Sequence, residues 1–339
     1  MIANTSPALA RRISTTLSRN TLRLRVFSVL LSLAAMLAVF ALTTTNFLTL
    51  QNLKVIAFNA SLLTMVACGE SIVVITRNLD VSVGSIIGFS GFITAMFAAA
   101  NPHAGPLIII VAVGIGFVLG LINGLVVAYG RVPSIVATLG TLSIFRGFTY
   151  IVGQGVELPS SYLPRWMTNG AEATVLGVPL VVLIALLVVL VMTFISRSVP
   201  IMRRVYAVGS NPGAAVFYGL RANRVVLFAY AAGGALVGFA AFFYISRVGT
   251  ISVILGHDWE LMALAAVVLG GVATTGGSGS ILGVLFGALM LSTIDNGLVL
   301  AHAQEYWRMF IQGFAIVGAI ALDSGIQRRI MAIFRNHRV

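Results

Sequence analysis

Residues 106–128 read PLIIIVAVGIGFVLGLINGLVVA, an apolar run without a single charged side chain. A helix needs about 20 apolar residues to cross the hydrocarbon of a bilayer, and this run supplies them. Outward from it, comparable runs occupy 26–48, 55–75, 81–100, 134–152, 178–195, 225–245, 261–273, 280–300 and 308–322. The runs at 261–273 and 308–322 are short, so their ends are loosely defined. Together the runs predict an all-α integral membrane protein with about ten transmembrane helices.

Composition gives the same answer. Of 339 residues, 59% are hydrophobic and 9% charged, against about 45–50% and about 25% in soluble domains. A water-facing surface needs more polar groups than this, whereas lipid accepts apolar side chains all round. The expected organisation is a basic arm at 1–25, one membrane domain at 26–325 and a basic tail at 326–339, with no separate enzyme domain. Met1 to Arg25 is rich in Ser, Thr and Arg without an acid. That pattern fits a cytoplasmic arm, and the run after it is longer than a signal-peptide core. The formal charge of +12 is scattered in short segments between runs rather than gathered on one face, which argues against nucleic acid. Cys68 is the only cysteine, so no disulfide forms within the chain.

The basic residues also predict sidedness. With the N-terminus inside and ten alternating spans, sixteen arginines fall in inside segments, among them Arg77, Arg131, Arg197, Arg203, Arg204, Arg221 and Arg224. Lys54, Arg165, Arg247 and Arg308 fall outside, and Arg146 lies within a span. This places both termini in the cytoplasm. The longest outside loop, 153–177, carries Tyr162 and Trp166, aromatics suited to a membrane interface. Thr76-Arg77-Asn78-Leu79-Asp80 is either a tight cytoplasmic turn or a break inside a longer element.

Residues 196–224 form the longest inside loop and hold the sharpest local signal. Asn211 is a good N-cap and Pro212 fits the first helical position. Gly219 suits a helix stop. Between them, Gly213, Ala214 and Ala215 are small and Phe217 and Tyr218 aromatic, the composition of a short helix that fits a partner's groove. The alternative is an ordinary positively charged loop.

Enzymatic chemistry finds no support. The only lysine, Lys54, is followed by valine, so no phosphate-binding G-x-x-x-x-G-K-[ST] loop exists. Gly276-Gly277-Ser278-Gly279 reads as a tight turn with close backbone packing. His103, His257, His302 and His337 lack metal-ligand spacing, and no metal site is expected. Charged and polar residues within spans carry more weight, because burying a charge there costs at least about 2.5–3.5 kcal/mol. Glu70, Arg146, Asp295 and Asn296 are the candidates, either lining a solute path or fixing the bundle. The alternative is that each charge snorkels or is neutralised near a helix end. Gly84-Ser85-Ile86-Ile87-Gly88 matches Gly279-Ser280-Ile281-Leu282-Gly283, a short hint of internal repetition.

Several stretches carry a family likeness. They are Thr76-Arg77-Asn78-Leu79-Asp80-Val81-Ser82-Val83-Gly84-Ser85, then Val132-Pro133-Ser134-Ile135-Val136-Ala137-Thr138-Leu139-Gly140-Thr141-Leu142 with Arg146-Gly147, then Gly209-Ser210-Asn211-Pro212-Gly213-Ala214-Ala215. Val268-Leu269-Gly270-Gly271-Val272 and Gly276-Gly277-Ser278-Gly279 complete the set. On these the chain resembles the permease subunit of the ribose/xylose/autoinducer-2 group of bacterial ABC importers, over roughly 45–325. The first two stretches look closest to autoinducer-2 permeases, with rhamnose-type permeases next. The longer basic N-terminal arm departs from that pattern.

The resemblance implies a multi-pass subunit of the bacterial cell inner membrane that binds no cofactor itself, with ATP and Mg on a partner ATPase. Its implied partners are cytoplasmic ATP-binding subunits, a second permease copy or paralogue, and a periplasmic solute-binding protein that delivers a small sugar-like solute such as autoinducer-2, rhamnose or ribose. The family's coupling helix would match residues 211–220, with Asn211, Pro212, Gly213, Ala214, Ala215, Phe217 and Gly219. A competing expectation is a proton-coupled secondary transporter of a small polar solute with Glu70 or Asp295 as proton carrier.

Overall fold

The computed structural model describes residues 31–314 together with 317 and 318. The arm at 1–25, the tail at 326–339, the start of the 26–48 run and the end of the 308–322 run lie outside the described residues. The rest is built from helices. They are α1 (Leu31–Thr43), α2 (Leu50–Ile75), α3 (Val83–Ala100), α4 (Leu107–Ala128), α5 (Ser134–Gly153), α6 (Arg165–Glu172), α7 (Leu180–Ser198), α8 (Pro200–Ser210), α9 (Pro212–Phe217), α10 (Ala222–Arg247), α11 (Trp259–Leu269) and α12 (Ile281–Leu300). A last helical stretch, α13, covers 305–314.

Seven of these, α2, α3, α4, α5, α7, α10 and α12, are long and apolar enough to cross a membrane. The protein is thus a helical, multi-pass membrane protein. Within the 26–48 run α1 is a shorter apolar helix. The span expected at 55–75 begins at Leu50, because Thr49 accepts from the Asn52 amide and caps a first turn that contains Gln51, Asn52 and Lys54. Polar residues in that turn hide it from an apolar-run reading. The 261–273 run ends as a helix at Leu269. Gly271 adopts φ 82°, and the amides of Gly271 and Val272 close back onto the carbonyls of Val268 and Val267, a glycine stop of the Schellman type.

Glycine sets the helix spacing. On α4, Gly116 and Gly120 face Gly234, Gly238 and the Tyr230 carbonyl of α10, where an added Cβ would strike backbone. Gly69 of α2 meets Gly233 of α10 in the same way, and Gly283 and Gly287 of α12 meet Gly270 and Ala266 at the end of α11. Lipid supplies no hydrophobic drive between helices, so close backbone approach and dispersion must hold them. These pairs run antiparallel. They define two ends of the bundle. One end gathers the C-termini of α2 and α4 with the N-termini of α5, α10 and α12, and the other gathers the opposite termini. Arg77, Arg131, Arg197, Arg203, Arg204, Arg221 and Arg224 gather at the first end, whereas Lys54, Arg165, Arg247 and Arg308 lie at the second.

At the second end, the loop at 153–177 is an ordered cover. Leu158 and Pro159 pair with Ile251 and Thr250 as a two-stranded antiparallel ribbon, and Thr174–Val175 pair with Val178–Pro179 in a hairpin. From there the chain after α10 turns inward. Leu255 and Gly256 are buried against α3, where an added Cβ on Gly256 would meet the Gly84 carbonyl. The 11 residues of α11 then carry the chain back to the first end. At 1.5 Å per residue they span about 16 Å, half of a bilayer core, and the chain before them, 248–258, contains no helix. Such backbone is tolerated at depth only when protein or a water-filled cavity surrounds it.

Candidate functional site

At the first end, residues 196–224 are mostly helical. α7 extends to Ser198 and α8 follows from Pro200, burying Met202, Val205, Val208 and Gly209. A loop reading of this region misses α8 because its apolar residues form one narrow stripe among arginines.

α9 has the local geometry its sequence implies. Asn211 Oδ1 accepts from the Ala214 amide at 3.0 Å, and Pro212 occupies the first position. The helix closes where Gly219, at φ 77°, donates to the Val216 carbonyl and Leu220 donates to that of Ala215. Ala215 is buried against the body of the protein, while Gly213 is open. Phe217 is 93% exposed and Tyr218 87% exposed. Two aromatics presented to the outside by a helix capped at both ends form a fixed knob with no partner surface among the described residues.

The junction before α9 is anchored to two other segments. The Arg77 Nε donates to the Gly209 carbonyl at 2.5 Å and its Nη2 to the Ser210 carbonyl at 2.7 Å. The Gly277 amide donates to the Ile75 carbonyl at 2.9 Å. Gly276 and Gly277, at φ 78° and 72°, lie against Arg77 and Ser210, so the glycine run 276–279 is the tight turn its composition implies.

Residues 76–82 are a break between α2 and α3, in which Thr76, Asp80 and Ser82 are buried, Asn78, Leu79 and Val81 half-buried and Arg77 exposed. Asp80 is buried, and its amide donates to Glu70 Oε1 at 3.2 Å. Its Oδ1 accepts from the Ser82 hydroxyl at 2.6 Å, and Asn123 of α4 donates to both the Asp80 carboxylate and Ser82. The Tyr230 hydroxyl donates to the Leu79 carbonyl at 3.0 Å. Burial pushes the Asp80 carboxyl above the usual carboxylate range, and the hydrogen bonds from Ser82 and Asn123 oppose the shift. Glu70 Oε2 has no partner among the described residues.

Arg146 of α5 reaches the inward-turning segment, where its Nη1 donates to the Leu255 carbonyl at 2.6 Å. Glu260, on the first turn of α11, lies near this guanidinium and also against Gly84 of α3. Asp295 and Asn296 do something different. Asp295 Oδ1 accepts from Arg308 at 2.6 Å and from Gln312 at 3.1 Å, joining α12 to α13. Asn296 and Asn52 exchange amide hydrogen bonds of 2.9 Å between α12 and α2. Replacing Asn52 by alanine leaves the Asn296 side-chain amide buried without its partner, whereas replacing Asn296 strands the Asn52 Oδ1 but leaves its Nδ2 on the Phe47 carbonyl, so each single change should cost about 1–3 kcal/mol. The double change N52A/N296A should cost less than the sum of the singles in detergent melting curves. Additive losses would show that the pair is not coupled.

The four span residues singled out from sequence therefore do not form one site. Glu70 and Arg146 belong to separate interior clusters, and Asp295 and Asn296 tie helices near the second end. Asp80, Asn123, Tyr230, Arg77 and Glu260 were missed. Asn123 had a readable signal, as a lone polar residue within the 106–128 run. Arg77 and Glu260 sit at helix ends, where charge is ordinary.

Residues 52–320 match the family model described as branched-chain amino acid transport system / permease component. The chain is 35% identical over 313 residues to the autoinducer 2 import system permease protein LsrC of Enterobacter sp. (strain 638), covering 91% of this chain and 89% of that protein. It is 32% identical over 310 residues to proteins of the same name from Yersinia pseudotuberculosis serotype O:1b (strain IP 31758) and Yersinia pestis (strain Pestoides F), covering 91% of this chain and 86% of each. No solved structure matches.

Proposed function

This chain belongs to the permease-component family of branched-chain amino acid transport systems, and on that premise we propose that it forms the membrane path of an ATP-driven ABC importer. The solute is a small sugar-like molecule of the autoinducer-2 class, handed over by a periplasmic binding protein. The energy comes from ATP and Mg on cytoplasmic ATP-binding subunits that grip the first end of the bundle. Ten spans across the bacterial inner membrane put both termini in the cytoplasm, and a second permease copy or paralogue completes the path.

The observation that carries this reading is α9, whose aromatic knob stands free among arginines at one end of the bundle. The solute class rests on the names of relatives that align with 91% of this chain. Arg146 has a place in the path. The three least buried spans are α4, α5 and α7, and of these α4 and α7 are the most hydropathic of all spans while α5 is the least. A lipid-facing helix gains nothing from Ser143, Arg146 and Tyr150 on one face, so that face of α5 suits a polar solute better than lipid. Glu70, Asp295 and Asn296 act as bundle-fixing groups.

A second reading, proton-coupled transport by the chain alone, draws on the buried Glu70–Asp80 contact. Proteoliposome uptake separates the two. The importer reading expects uptake that requires the ATPase, ATP and the binding protein, and none from the chain alone under a pH gradient. Uptake by the chain alone that disappears in Glu70→Gln would replace it with the second reading.

A further inference from the structure

Helix α8 ends with carbonyls that its own turns do not satisfy. Those of Gly209 and Ser210 are taken by one guanidinium, that of Arg77, from the residue that follows the C-cap of α2. A positive planar fork at the negative end of a helix is favourable through both charge and geometry. Arg77 holds this position at φ 67°, a left-handed conformation that is unfavourable for a non-glycine residue. Glycines at 209, 276 and 277 bring the three backbones close enough, since added Cβ atoms there would strike the Ile75 carbonyl, the Arg77 side chain and Ser210.

α9 begins two and three residues after these carbonyls. On the other side of Arg77, residues 78–80 lead directly to the interior contacts of Leu79 with Tyr230 and of Asp80 with Glu70, Ser82 and Asn123. α2 itself is the most buried span. A displacement of α9 therefore has a side-chain route into the centre of the bundle through Arg77, beside the backbone link of Gly277 to Ile75.

We propose that Arg77 is the positioning residue that transmits movement of α9 to α2, by holding the end of α8 against the end of α2. This rests on the reading of α9 as the ATPase-docking helix. Arg77 is a mechanical link, and it touches neither solute nor nucleotide.

The test uses the full chain assembled with its ATPase and binding protein in proteoliposomes. Solute uptake and ATP hydrolysis are measured in parallel for wild type, Arg77→Ala and Arg77→Lys. The expected result for Arg77→Ala is hydrolysis within about twofold of wild type and at least tenfold less solute moved per ATP. Lysine keeps the charge but not the fork, and an intermediate ratio is expected. Should the alanine variant not assemble, Arg77→Gln is read by the same ratio. A solute-to-ATP ratio equal to wild type overturns the proposal, whether both rates stay normal or fall together, because a purely structural residue lowers both in step. Wild-type uptake that needs no ATP would instead remove the importer reading and leave the Arg77 bonds unexplained by it.

Discussion

Gly120→Leu is expected to leave no protein that remains monodisperse after detergent extraction. The reason is the contact between α4 and α10. Ala112, Gly116, Gly120 and Gly124 recur every fourth residue on one face of α4. Opposite them, Gly234 and Gly238 of α10 approach so closely that a Cβ on Gly120 would run into the Tyr230 carbonyl and lie 3.1 Å from the Gly234 Cα. The obstacle is backbone on both sides, so no rotamer change relieves it. Overpacking a core with extra methylenes typically costs about 1–3 kcal/mol, and a leucine against backbone should exceed that. Splaying the helices also forfeits the dispersion contacts that lipid cannot replace. Gly114→Leu is the control. It lies on the same helix with nothing within 4 Å of an added Cβ and should extract and melt like wild type. If the two leucine variants behave alike in size-exclusion profiles and melting curves, the close packing is not what holds α4 to α10.

Changes on α9 should do the opposite and abolish uptake while sparing the fold. Gly213 is exposed, and the nearest heavy atom to an added Cβ is Asn211 Oδ1 at 3.5 Å. Arginine therefore fits without a clash, and a positive charge in the first turn costs only about 0.3–1 kcal/mol. Phe217 buries almost nothing in the isolated chain, so Phe217→Ala should not lower melting temperature. Against a partner groove the same ring is an anchor whose loss costs at least about 2 kcal/mol, roughly thirtyfold in affinity. Gly213→Arg and Phe217→Ala should each reduce ATP-driven uptake by at least about tenfold at unchanged membrane levels. Phe194→Ala, which removes an exposed aromatic from α7, should not. Wild-type uptake in both α9 variants would remove α9 as the docking element.

Much of this was legible in the chain. The runs at 106–128 and 280–300 became α4 and α12 with nearly the expected ends, because partition into lipid depends on local composition. α9 was legible down to its caps, since Asn211, Pro212 and Gly219 act within a few residues of themselves. α2 was misjudged at its start because polar residues begin that helix. α8 was hidden because a narrow apolar stripe among arginines reads as loop. At 76–80 the sequence left a tight turn and a break inside a longer element both open, since what buries Asp80 and holds Leu79 is Asn123 and Tyr230, which lie far away in sequence.

Taken alone, the sequence established a lipid-embedded helical bundle, its permease-family likeness and one capped exposed helix. Each follows from how side chains partition, or from hydrogen bonds closed within a single turn. Only the tertiary structure decided which charges meet. Arg77 finds Gly209 and Ser210, Arg146 finds the Leu255 carbonyl, Asn52 finds Asn296, and the chain after α10 turns back inside. Those partners are separated by 109 to 244 residues. No local propensity encodes such meetings, and the glycine-controlled approach of whole helices creates them.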